Sequence, residues 1–252
     1  MPELPEPMTI PLNVKEKIVV CLDLTEDEDE APIGFGDQKL SVESVVRAAV
    51  RQLFKLKAAM RSDTEFAIVG MLNSKAKLIN QFSTDINEVN QVFPTNKPSK
   101  PVEVNMDEFL FPILEQALKD HLPTVSSDGV LSHVCRVILV YKSSVRIPLL
   151  NNFNYKMFES PGVLFDVFYV HDVPSDQNHV EHIFENMSKL NISGNSYLLE
   201  VLNNQIINIY NTMSLLLPHP LQRAPQKYLN NDIRSILSDK QDEEIPTNED
   251  GL

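Results

Sequence analysis

The sequence predicts an α/β fold: a doubly wound, mostly parallel sheet of five or six strands with helices on both faces and one antiparallel edge strand. Three observations carry this. Apolar, β-branched runs of strand length stand at 17–24 (KIVVCLDL), 65–72 (EFAIVGML), 136–141 (RVILVY) and 163–170 (VLFDVFYV), and runs apolar on both faces belong in a sheet covered on both sides. Between them, apolar residues recur at three- and four-residue spacing, the period of a helix packed by one face. The two patterns alternate along the chain, as parallel crossovers require.

Taken in order, residues 1–16 form an extended lead-in, because Pro2, Pro5, Pro7 and Pro11 deny it helix and sheet pairing. The first strand, 17–24, ends in the acidic stretch TEDEDE. Ser41 is placed to cap a helix whose stripe is Val42, Val45, Val46, Ala49, Val50, Leu53 and Met60. After the second strand, Asn73-Ser74-Lys75 is short enough for a hairpin into AKLINQF (76–82), the expected antiparallel edge. Asp85 caps a short helix with Ile86, Val89 and Phe93. Another helix carries Leu110, Ile113, Leu114, Ala117 and Leu118, with Pro112 expected to mark its start or a kink. Residues 143–162 read as polar and irregular. Val180, Ile183, Phe184, Met187 and Leu190 form a helical stripe, SYLLEV (196–201) a sixth strand, and Ile206 to Leu216 a last helix stopped by Pro218. The expected organisation is a lead-in at 1–16, one domain at 17–217, and a C-terminal partner-binding segment with an acidic tail at 218–252.

The 252 residues carry a formal charge of -13, without any Lys/Arg run. That disfavours nucleic acid and anionic membranes as partners, since both need clustered cations. No run approaches the ~20 apolar residues of a membrane span, and the N-terminus has no signal-peptide pattern. The expected location is cytoplasmic and nuclear. Cys21 and Cys135, in or beside apolar runs, read as small buried hydrophobes rather than a redox pair or metal site.

Ligands of such sheets bind at the carboxyl ends of the strands. No glycine-rich phosphate loop follows any strand, and no GxSxG elbow is present. No catalytic residue and no cofactor are therefore expected. Asp23-x-Thr25-x-Asp27 raises an alternative, a metal-dependent adhesion-type module binding a divalent cation through these three residues. Hard cations need several convergent oxygens, however, and a solvated acidic loop explains the spacing as well. His179 and His182 share a helix face but lack a third zinc ligand nearby. Asp166, inside an apolar strand, must find donors in a neighbouring loop or helix end. Beyond the last helix, prolines at 218, 220 and 225 hold the chain extended. Pro220, Leu221, Gln222 and Arg223 then suit a groove-binding peptide, with Pro220 filling an apolar notch and Arg223 meeting a partner's carboxylate.

EKIVVCLDLTED, SDTEFAIVGML, RVILVY, LFDVFYVHD and above all LLPHPLQRAP, in this order and spacing across residues 14–225, resemble the BRISC and BRCA-A complex member family, also called MERIT-forty. The resemblance implies a von Willebrand factor A-like fold with a degenerate metal site. It also implies a non-catalytic scaffold subunit of deubiquitinase complexes that cleave non-degradative polyubiquitin chains, with roles in DNA-damage signalling. Its implied partners are the UEV-domain subunit BRE, bound directly through Pro220–Arg223, and a JAMM-type zinc deubiquitinase and an Abraxas-type scaffold in the same assembly.

Overall fold

The computed structural model describes residues 14–25, 33–35, 38–72, 75–91, 104–150, 156–190 and 196–229. In chain order the elements are β1 (Lys15–Asp23), β2 (Ile33–Phe35), β3 (Gln38–Leu40), α1 (Val42–Met60), β4 (Glu65–Leu72), β5 (Lys75–Ser83), α2 (Ile86–Gln91), β6 (Val104–Asn105), α3 (Met106–Leu118), β7 (His133–Tyr141), β8 (Pro148–Leu149), α4 (Lys156–Glu159), β9 (Val163–His171), α5 (Val180–Ser188), β10 (Leu198–Leu202) and α6 (Ile206–Ser214). Six strands form the main sheet in the order β10-β9-β7-β1-β4-β5. All neighbours run parallel except β5, which pairs antiparallel with β4 at one edge. The sheet expected from the sequence is therefore present, with six strands.

Both faces are covered. Ile18, Val20 and Leu22 of β1, with Ile138, Val140, Phe168 and Val170, pack under α1 and α6. The alternate residues Val19, Cys21, Val137, Leu139, Val167 and Tyr169 pack under α3 and α5. This period of two is why the strands read as unbroken apolar runs. Ser41 caps α1, its hydroxyl accepting from the Ser44 amide at 3.1 Å. Gly162 immediately precedes β9 at φ +82°, where a Cβ would meet the Leu131 side chain at 2.6 Å.

Three expectations change. α3 starts at Met106, capped by the Asn105 side chain, so Pro112 lies inside the helix rather than at its start. β1 begins at Lys15, and Val14 is already buried, against Leu131, Val134 and Leu164. Residues 143–162 are not simply an irregular polar loop: they contain β8 and α4, and Ser143, Ser144 and Arg146 are buried. Asp27, Asn73-Ser74 and residues 230–252 lie outside the described residues.

Candidate functional site

Three charged residues sit in the sheet at the positions where β1, β7 and β9 enter it. Glu16, Arg136 and Asp166 share the parity of Ile18, Ile138 and Phe168, so all three point to the α1/α6 side, below its apolar core. Arg136 is 0% exposed. Its Nε donates to Asp166 Oδ2 at 2.6 Å, and its Nη1 donates to the Leu216 carbonyl at 2.5 Å and lies 3.4 Å from Glu16 Oε1. Lys57 reaches down from α1 to pair with Glu16. The ionic groups are thus buried as a hydrogen-bonded network, the arrangement in which burial of charge is tolerated.

The chain beyond α6 closes this network. Arg223 makes a two-pronged bond to Asp166, Nη1 to Oδ2 at 2.9 Å and Nη2 to Oδ1 at 2.5 Å, with its side chain only 2% exposed. Its guanidinium lies 3.7 Å from the centre of the Tyr197 ring. The Tyr197 amide supplies Asp166 Oδ1 with a further bond at 2.7 Å. Of the other expected docking residues, Pro220 is buried, Leu221 packs on the cluster around Val14 and Leu131, and Gln222 is exposed. The segment is not the extended peptide expected but a turn, closed by the Gln222 amide on the His219 carbonyl at 2.9 Å, and Arg223 finds its carboxylate within its own chain. Asp166 was expected to meet donors from a loop or helix end; that the donors are arginines was hidden by their distance in sequence.

Burial pushes the Asp166 carboxyl up, but Arg136, Arg223 and the Tyr197 amide outweigh it and hold the group below its ordinary value of 3.8. His219 and His121 are both lowered from 6.5, in each case first by burial; Lys57 adds to the effect at His219 and Lys17 at His121. For all three groups the unfolded chain binds the proton more readily, so stability must fall as pH falls. The loss should begin below about pH 6.5 through the histidines, and steepen below about pH 4 as Asp166 is driven through its folded-state pKa. Urea midpoints between about pH 7.5 and 3.5 check this; a flat profile from 7 to 5 would remove the histidine contribution.

At the opposite rim, Asp23 ends β1. Its Oδ1 accepts from the Thr25 amide at 3.0 Å and the Thr25 hydroxyl at 2.5 Å. Its Oδ2 accepts from Arg146 Nη2 at 3.1 Å and lies 3.4 Å from the Lys142 amide nitrogen. A guanidinium thus supplies the positive charge that Asp23 needs where the metal reading puts a cation. Arg146 went unrecognised because a lone arginine in a polar loop gives no local signal. The Ser143 hydroxyl accepts from the Val145 and Arg146 amides, and the Ser144 hydroxyl from the Asp172 amide, so this loop is internally bonded. His179 precedes α5 and His182 lies on it; no cluster of three or more His, Cys, Asp or Glu suited to a metal occurs among the described residues. Cys21 and Cys135 are buried free thiols, Cys135 pushed up to about 12 by burial and Cys21 further.

No family model matches the chain. Proteins called BRISC and BRCA1-A complex member 1 do align with it. That of Xenopus tropicalis is 28% identical over 247 residues, covering 94% of this chain and 74% of that protein. Those of Bos taurus and Homo sapiens are 29% and 28% identical over 229 residues, covering 86% of this chain and 67% and 68% of theirs. The similarity to these proteins thus runs along most of the chain. Its sheet is that of a von Willebrand factor A-like domain. The SpRpn10 VWA domain superposes with a TM-score of 0.50 at 12% identity, covering 78% of this chain and 95% of that one. The D319A mutant of the PilB minor pilin from Streptococcus sanguinis gives 0.55 at 10%, over 89% and 63%. At such identities these two likenesses concern fold alone. No helix among the described residues is long and apolar enough to cross a membrane.

Proposed function

We propose that the chain is a scaffold subunit of a BRISC-type deubiquitinase complex and contributes no chemistry of its own. The observation that carries this reading is the homology along 94% of the chain to a protein named as a complex member. The geometry supports it: the carboxylates in the two rims, Asp23 and Asp166, are each engaged by arginines of the same chain. In the proposed assembly the chain binds the UEV-domain subunit BRE directly. The JAMM-type zinc protease that cleaves non-degradative polyubiquitin and the Abraxas-type scaffold belong to the same complex, acting in ubiquitin signalling and the DNA-damage response. The segment containing Pro220, Leu221, Gln222 and Arg223 is the proposed contact.

The test uses exposed positions of the segment. Titration of the whole chain with a BRE-type protein should give saturable binding. Gln222→Glu combined with Ala224→Glu, both exposed, should weaken it by at least about tenfold, because like charges brought to the centre of a contact are left without a partner. Equal affinities for the wild type and this variant would remove the segment from the interface.

A further inference from the structure

We infer that Arg223 serves docking from inside the chain, as a positioning residue: clamped on Asp166 and stacked on Tyr197, it fixes residues 218–226 as a rigid surface turn, and the partner meets the opposite face, formed by Pro218, Gln222, Ala224 and Pro225. The inference rests on the reading of this segment as the contact and says which of its atoms face outward.

Asp166 explains why Arg223 is committed inward. Its Oδ1 accepts from the Tyr197 amide and Arg223 Nη2, and its Oδ2 from Arg136 Nε and Arg223 Nη1. Four donors meet the roughly four lone-pair sites of a carboxylate. A partner's carboxylate could take Arg223 only by dismantling a desolvated two-pronged pair, which leaves Asp166 short of two bonds.

The rest of the segment is held in the same way. Pro220 is buried and Leu221 sits on the Val14, Leu131, Val134 and Leu164 cluster. The Gln222 amide donates to the His219 carbonyl at 2.9 Å, closing a turn. Tyr197 donates its hydroxyl to the Ala224 carbonyl. The Gln226 carboxamide accepts from the Leu198 amide at 2.7 Å and donates to the Leu198 carbonyl at 2.6 Å, bonding the edge strand β10 as a neighbouring strand would. Pro218, Gln222, Ala224 and Pro225 are left exposed. That face is two proline rings, a methyl group and one carboxamide, without charge. It fits a folded partner with an apolar notch that accepts proline and a polar group beside it. Because the turn is ordered before binding, little conformational freedom remains to be lost on docking.

The experiment measures affinity for a BRE-type UEV protein and amide hydrogen exchange of residues 219–226, using the whole chain as wild type, Arg223→Ala, Asp166→Asn, Gln226→Ala and the Arg223→Ala/Asp166→Asn double variant. Each charged single variant should weaken binding about tenfold and the double variant no more than the weaker single, because both release one clamp. Gln226→Ala should weaken binding by a few-fold, and all variants should speed exchange. If Asp166→Asn does not fold, Gln226→Ala decides, since it touches no charge. Unchanged or tighter binding by Asp166→Asn or Gln226→Ala, with Arg223→Ala alone defective, would mean that Arg223 meets the partner directly and overturns the inference. If the wild type does not bind, the docking reading is what fails. The exchange rates of the free variants then still decide the clamp, and rates equal to wild type would overturn it too.

Discussion

Replacing Arg136 by Met should cost the fold about 3–5 kcal/mol, the range for removing one member of a buried ionic pair. Three bonds are lost together. Asp166 keeps Arg223 and the Tyr197 amide but loses the Arg136 Nε donor at 2.6 Å. The Leu216 carbonyl, which ends the turn after α6, loses its donor at 2.5 Å. Glu16 keeps Lys57 and loses the more distant guanidinium. Methionine fills much of the same volume, so the loss should come mainly from uncompensated polar groups rather than from a void. Urea unfolding followed by circular dichroism measures the change. A loss below about 1 kcal/mol would show that water or rearranged side chains replace Arg136 and that the network is not a buried one.

The same residues show what a sequence reveals and what it conceals. β1, β4, β7 and β9 were legible because a strand buried on both faces leaves an apolar run that solvent-exposed elements do not produce. α1 was legible from its stripe and from Ser41, whose capping role is local chemistry. Asp166 was visible as a charge inside an apolar strand, while Arg136 stands at the first position of its run and Glu16 just ahead of the first strand. Their partners were not. Arg136 is 30 residues from Asp166, 120 from Glu16 and 80 from Leu216, and only the strand order brings these together. A usable signal did exist: each of the three lies two positions ahead of a core residue of the same face, Ile18, Ile138 or Phe168. Charges of one parity, staggered by two residues across three adjacent strands, point to one shared site.

The C-terminal segment was half legible for a related reason. Its prolines announce a stiff exit from α6, but the path is a turn closed by the Gln222 amide on the His219 carbonyl rather than the extended peptide expected. A sequence cannot say on which side of that path the arginine falls. Burial decides it, through Asp166 on β9, 57 residues earlier. The loop after β7 was misread for the opposite reason. Lys142, Ser143, Ser144 and Arg146 look like solvated residues, yet they are buried because their hydroxyls and main-chain amides serve Asp23, Asp172 and one another.

That loop gives the second large effect. Arg146→Met should cost about 3 kcal/mol, the lower end of the range for breaking a buried pair, because Asp23, 1% exposed, keeps the two Thr25 donors when the guanidinium is lost. Adding Asp23→Asn should recover most of the loss, since the amide carries no charge that needs compensation. Urea unfolding of both single variants and the double variant measures the coupling, and strictly additive losses would mean that Arg146 acts instead through the Tyr141 ring, whose centre lies 5.9 Å from its guanidinium. The same arginine decides between a scaffold and a metal-dependent adhesion module built on Asp23, Thr25 and Asp27. A cation at Asp23 must expel a guanidinium 3.1 Å from Oδ2 or share the carboxylate with it, and two positive charges at that range repel strongly in a dry site. Calorimetric titration of the wild type with Mg²⁺ or Mn²⁺ should therefore give no saturable heat. Saturable heat that disappears in Asp23→Asn would show that Arg146 gives way and that the rim binds metal after all.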